Sequence, residues 1–163
     1  PGLDSASVPL LATSQYAEQD PRVSFDGRWL AYTSNETGRN EIFVRPLPDV
    51  EAGKVQVSVS GGNNPIWSRD GREMLYVDEA GNLVAVRFEA GSTFRVTAQA
   101  PLFAIPAGII RGMGSNTIDV TPDGQRFLMG RSLAAAGVTD DADAPRLTLV
   151  KNFDEELRRR VPR

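Results

Sequence analysis

Short apolar runs recur along the chain, each about the length of a β-strand and each broken by polar turn residues. The clearest breaks are the Asp-Gly pairs Asp26-Gly27, Asp70-Gly71 and Asp123-Gly124. Val23 and Phe25, Ile66 and Trp67, and Ile118 and Val120 precede them, and Trp29–Tyr32, Met74–Val77 and Phe127–Met129 follow. An Asp-Gly pair between two apolar runs predicts a β-hairpin, because both residues tolerate positive φ. A second polar turn comes next in each unit, at Asn35–Asn40, Asp78–Asn82 and the longer Ala134–Pro145. It leads to a third strand over Glu41–Arg45, Leu83–Phe88 or Arg146–Val150. Leu83–Phe88 alternates poorly, the pattern of a strand covered on both faces. Lys54–Val59 and Phe94–Thr97 supply a fourth strand to the first two units.

The units repeat. The three Asp residues stand 44 and 53 residues apart, and a loop within Ala104–Asn116 absorbs the difference. A period near 44 fits the roughly 40–50 residues of a four-stranded propeller blade. The expected fold is therefore an all-β propeller. Blade 1 covers about 20–60, blade 2 about 64–103 and blade 3 about 116–151. The third unit lacks a fourth strand, whereas residues 8–13 form a spare strand ahead of the first. The tail predicts a helix over 152–161: Asn152 or Asp154 caps it, and Phe153, Leu157 and Val161 make one apolar stripe.

These residues resemble the TolB-type propeller repeat, a relative of the WD repeat, with the pattern Pro-x-aromatic-Ser-x-Asp-Gly-x-x-Leu-x-Tyr. Pro65, Trp67, Ser68, Asp70, Gly71, Leu75 and Tyr76 all match it. Pro21–Tyr32 matches with Val23 in the aromatic place, and in the third copy Val120, Thr121 and Met129 replace the aromatic, Ser and Tyr. Leu149–Leu157 is in turn similar to the end of propellers at the C-terminus of bacterial serine/threonine protein kinases. That resemblance implies the sensor end of a membrane kinase and a periplasmic or extracellular site; the sequence itself leaves the location unknown.

Three blades alone would leave two apolar blade faces bare, and a bare face drives association. The spare strand 8–13 would complete the third blade of a second copy. This predicts a homodimer by strand exchange, each chain giving half of a six-bladed ring. The competing expectation is that further blades belong to a longer chain; Pro1 in place of Met fits a processed or excised piece.

Composition narrows the chemistry. The 163 residues contain neither Cys nor His, which removes disulfides, thiol nucleophiles, His-dependent triads and His-ligated metals. With a net charge of −3, the chain is a poor nucleic-acid binder. No apolar run reaches the roughly 20 residues of a membrane span, so no direct membrane insertion is expected. Sixteen of the 18 basic residues are Arg, scattered along the chain. Ser115 lies in neither a nucleophile elbow nor a dinucleotide loop. Asp26, Asp70 and Asp123 read as turn residues. Asp140, Asp141 and Asp143 lack the Gly and terminal Glu of a calcium loop. The repeated aromatics Trp29, Trp67, Phe25, Phe43, Tyr32 and Tyr76 read as core. No cofactor and no metal is expected, and the chain reads as no enzyme.

Function then falls to loops on a rigid scaffold. Those leading into each first strand carry Gln19, Asp20 and Arg22; Asn63 and Asn64; and Arg111, Asn116 and Asp119. They would converge near the ring axis as a polar rim. The candidate ligand-binding residues are Asp20, Arg22, Asn63, Asn64, Arg111, Asn116 and Asp119. The expected function is a non-catalytic binding or sensor module that docks a protein, peptide or envelope ligand at the channel rim. The alternatives are the propeller domain of a larger, prolyl-oligopeptidase-like hydrolase and a self-assembling propeller fragment without a ligand.

Overall fold

The computed structural model describes residues 10–11, 15–107, 109, 118–121 and 126–130, together with the strand 147–150. Apolar runs and turn residues produce three antiparallel sheets in chain order. The first holds β1 (Glu18–Val23), β2 (Trp29–Ser34), β3 (Glu41–Pro46) and β4 (Val55–Gln56). The second holds β5 (Asn63–Trp67), β6 (Glu73–Val77), β7 (Asn82–Ala90) and β8 (Phe94–Ala104). The third has three strands among the described residues, β9 (Ile118–Val120), β10 (Phe127–Gly130) and β11 (Leu147–Val150). Within each sheet the strands follow one another as a meander. The fourth strands differ from expectation in length. β4 is two residues long, with Val57 N–H donating once more to the Ile42 carbonyl, whereas β8 runs for eleven residues.

The sheets stack because their middle strands are apolar on both sides. Met74 and Tyr76 of β6, with Val84, Val86 and Phe88 of β7, pack against Trp29, Ala31, Ile42 and Val44 of the first sheet. The alternate residues Leu75, Val77, Leu83 and Ala85 join Ile118, Phe127 and Met129 of the third. Successive side chains of a strand point to opposite faces, so an unbroken apolar run means that both faces are covered. The outer strands take part as well. Leu102 is fully buried in the second interface, and Phe103 meets Phe127 edge-on at 5.7 Å.

The first strands β1 and β5 lie side by side, and the Trp67 indole N–H donates across to the Arg22 carbonyl at 2.9 Å. The outer face of the first sheet is not bare. Leu30, Tyr32 and Phe43 are buried there, with Leu11, Leu47 and Val50 packed against them. Leu11 precedes Val55 by one 44-residue period, and Val55 packs in the same way on the next interface. Exposure persists at Val23 (56%), where its counterpart Trp67 is buried against the neighbouring sheet. On the third sheet the outward Leu128 is 41% exposed between its inward neighbours Phe127 and Met129. Residues 8, 9, 12 and 13 of the spare strand, and the predicted helix 152–161, lie outside the described residues.

Phe127 is fully buried between two sheets, so Phe127→Ala should cost about 3–5 kcal/mol in urea unfolding. Val59→Ala, at a residue 66% exposed, should stay within about 0.5 kcal/mol of the parent.

Candidate functional site

Strands β1 and β5 share an unusual backbone near their starts. Asp20 and Asn64 are 44 residues apart and both adopt a left-handed conformation, with φ of 52° and 55°. They are the only described non-glycine residues that do so. Asp and Asn tolerate this region, and the proline after each has no N–H to give the ladder. The result is a bulge in each strand. Pairing skips from Gln19↔Thr33 to Arg22↔Ala31 and, one period on, from Asn63↔Val77 to Ile66↔Leu75.

Asp20 is buried, and its carboxylate accepts from the Thr33 hydroxyl at 3.4 Å. Arg22 donates to the Pro21 carbonyl at 3.2 Å. Asn63 accepts from the Asn40 amide at 2.8 Å, and the buried Oδ1 of Asn64 has no partner among the described residues. These four predicted site residues sit on neighbouring strands. Asp119 stands on β9 in the third sheet, exposed, and its carboxylate accepts from the Val120 N–H at 2.8 Å. Arg111 and Asn116 lie outside the described residues.

A buried carboxylate not foreseen from sequence fixes the loop that delivers Asn63. Glu41, 1% exposed, accepts from Arg39 Nε at 2.7 Å, from Gly61 N–H at 3.1 Å and from the Ser58 hydroxyl. Ser58 Oγ in turn accepts from Ile42 N–H at 2.8 Å. Both carboxylate oxygens are bonded, as a buried charge requires. Gly62 has no room for a side chain, since a Cβ would lie 2.5 Å from Ser58 Oγ. Gly61 and Gly62 connect the first sheet to the second, whereas Asn63 and Asn64, expected in the loop ahead of the strand, are the first two residues of β5.

At the other end of the same strands are the Asp-Gly turns, which are near copies. In the first, the Ser24 hydroxyl donates to Asp26 at 2.6 Å and accepts from Trp29 N–H at 3.0 Å, while Arg28 N–H donates to Asp26 at 3.1 Å. Ser68, Asp70, Arg72 and Glu73 repeat all three bonds at the same distances. In the third turn Thr121 Oγ1 replaces Ser and accepts from Arg126 N–H at 3.1 Å. Both residues of the pair tolerate positive φ, and only the glycine adopts it. Gly27 and Gly71 do so, at 74° and 69°, and neither Asp does. The four-residue loop leaves only the glycine to close back onto the next strand.

Arg28 sets the first turn apart. Its Nε pairs with Asp26 at 2.8 Å, and its two terminal nitrogens donate to the carbonyls of Ala90 and Gly91 on the second sheet. The Ser24 hydroxyl and the Arg28 guanidinium hold the Asp26 carboxyl down at about 2. A cleft of about 400 Å³ opens between the two turns, lined by Phe25, Asp26, Arg28, Trp29, Trp67 and Arg69 among others. Phe25 is not a core residue as its aromatic character suggested. It is 60% exposed at the turn, with the Arg69 guanidinium 5.2 Å over its ring.

No family model and no curated protein matches the chain. Among solved structures, TolB from Acinetobacter baumannii is similar at 21% identity and a TM-score of 0.51, over 85% of this chain and 31% of that one. Oligogalacturonate lyase from Vibrio parahaemolyticus is similar at 16% identity and a TM-score of 0.56, over 82% of this chain and 36% of that one. The fold is that of a β-propeller. The chain spans about a third of the length of each. The likeness is one of fold, which does not carry function. The tail behind the kinase resemblance lies, beyond Val150, outside the described residues, and no finding supports that setting.

The depressed Asp26 gives a pH signature. Its folded pKa lies below the unfolded value, so its contribution is full above about pH 4 and is lost as pH falls toward 2. The parent should lose urea resistance across that window, and Asp26→Asn should flatten the loss. The effect should be small and should shrink in salt, because the pair is half exposed.

Proposed function

We propose that the chain is a non-catalytic binding segment of a β-propeller, and that it docks a protein or peptide at the rim where chain enters the first strands. The paired bulges carry this reading. Two left-handed polar residues one period apart hold polar groups on the adjoining strands β1 and β5, and the Asn64 amide oxygen there is buried without a partner among the described residues. Such backbone is kept where the surroundings over-determine it, and it concentrates at ligand clamps. A polypeptide N–H is the natural complement to that oxygen, and Arg22 and Asp119 add one charge of each sign.

The test is retention of a polypeptide from a bacterial envelope extract on the immobilised chain. Asp20→Asn, Arg22→Ala and Asp119→Ala together should abolish retention while leaving the circular dichroism spectrum and unfolding midpoint unchanged. Undiminished retention by this folded variant would remove the rim from consideration.

Assembly belongs to the same reading. The outward Leu128, on a sheet with three strands among the described residues, suits a blade contributed by a second copy. The expected solution mass is twice 17.7 kDa, with Leu128→Arg returning the chain to a single copy. A parent of 17.7 kDa with full β structure rules out closure by dimerisation.

A further inference from the structure

We propose a second ligand site, unrelated to the rim: the cleft between the first two Asp-Gly turns binds a neutral saccharide. Its volume of about 400 Å³ lies within the roughly 300–1,000 Å³ of small-molecule pockets. Trp29, Trp67 and Phe88 contribute an aromatic lining, and Phe25 leaves a ring exposed at the margin.

The bonds already made define what a ligand would have to supply. The Trp67 indole N–H is engaged by Arg22 O, and the Asp26 carboxylate is closed by Ser24 and Arg28. The Trp29 indole N–H has no partner among the described residues, although the residue is only 6% exposed. A buried donor without an acceptor is a standing cost that a ligand oxygen removes. Asp70 receives the Ser68 hydroxyl and the Arg72 N–H on Oδ1, while Oδ2 carries no bond among the described residues. Arg69 lies over Phe25 and forms no ion pair among the described residues. The unmet groups are thus the buried indole N–H of Trp29, the Arg69 guanidinium, one oxygen of Asp70 and an exposed aromatic ring.

Charge then selects among ligands. Arg28 and Arg69 balance Asp26 and Asp70, so a charged ligand that gains from one pair of residues is repelled by the other. A wholly apolar ligand would leave both the indole donor and the carboxylate acceptor unmet. Sugar hydroxyls both donate and accept, and the C–H face of the ring stacks on an aromatic side chain. The site is also not a by-product of the repeat. The position of Trp29 is taken by Glu73 in the second unit and Arg126 in the third, and that of Phe25 by Arg69 in the second.

The chain has two tryptophans, which give two indole N–H signals in a nitrogen-15 spectrum. Trp29→Phe assigns them. Titration with cellobiose or N,N′-diacetylchitobiose should move the Trp29 indole proton downfield and leave the Trp67 signal in place as an internal check on the fold. Phe25→Ala should weaken the apparent Kd about tenfold or more, and Asp70→Asn should weaken it several-fold with the Trp67 signal unmoved. The proposal is overturned if no neutral sugar moves the Trp29 signal at tens of millimolar. It is equally overturned if galacturonic acid binds as tightly as the neutral sugars, or if folded Phe25→Ala binds like the parent.

Discussion

The first two sheets of this protein are apolar on both faces, and that constraint shapes the rest. A sheet with one apolar face can rest against a single partner and show its other side to water. Here Met74 and Tyr76 point one way and Leu75 and Val77 the other, all of them buried. Such a sheet needs a neighbour on each side, so stacking continues until something ends it. At the first sheet, Leu11, Leu47 and Val50 cover Leu30, Tyr32 and Phe43, with Leu11 one period ahead of Val55. A short apolar segment thus takes the place that an outer strand takes at the next interface.

Stacking also decides where polar groups can be put. With both faces of the middle strands occupied, polar groups fall to the outer strands, the strand ends and the turns, and the two ends are built differently. At the rim, left-handed Asp20 and Asn64 break the ladder, and the Glu41–Ser58 knot fastens the loop between them. At the other end, the Ser-x-Asp-Gly turns are made rigid by repeated side-chain-to-backbone bonds, which frees the residue at x to vary. Phe25 and Arg69 occupy that position and meet across the gap between sheets.

Much of this was legible in the chain. The Asp-Gly spacing located three sheets and their order, because a turn that needs glycine and a strand that needs apolar residues each leave a mark. Poor alternation in Leu83–Phe88 rightly implied cover on both faces. Other features left weaker marks. Phe25 reads as core by type, and only its register against Arg69 rather than Trp67 reveals a turn position. Glu41 reads as a surface charge, because its partners Arg39, Ser58 and Gly61 come together only once the loop has folded. Of the predicted site residues, Asp20 and Asn64 were chosen as polar groups near an axis. Their shared backbone geometry could have been anticipated from the Asp-Pro and Asn-Pro steps one period apart.

Repetition itself separates scaffold from function in such a chain. A side chain that recurs at the same place in each unit, with the same bonds, is explained by the unit. Ser24 and Ser68 are of this kind, as are Asp26 and Asp70 in their Oδ1 bonds. What the unit leaves unexplained is the residue that breaks the repeat and whose groups stay open after folding. Trp29 meets both conditions, replacing the charged residues of its counterparts and burying an indole N–H that no group among the described residues accepts. Asn64 meets the second alone, since Asp20 shares its backbone but has a bonded side chain. Departure from the repeat and an unmet polar group are independent signals, and where both fall on one residue the scaffold alone does not account for it.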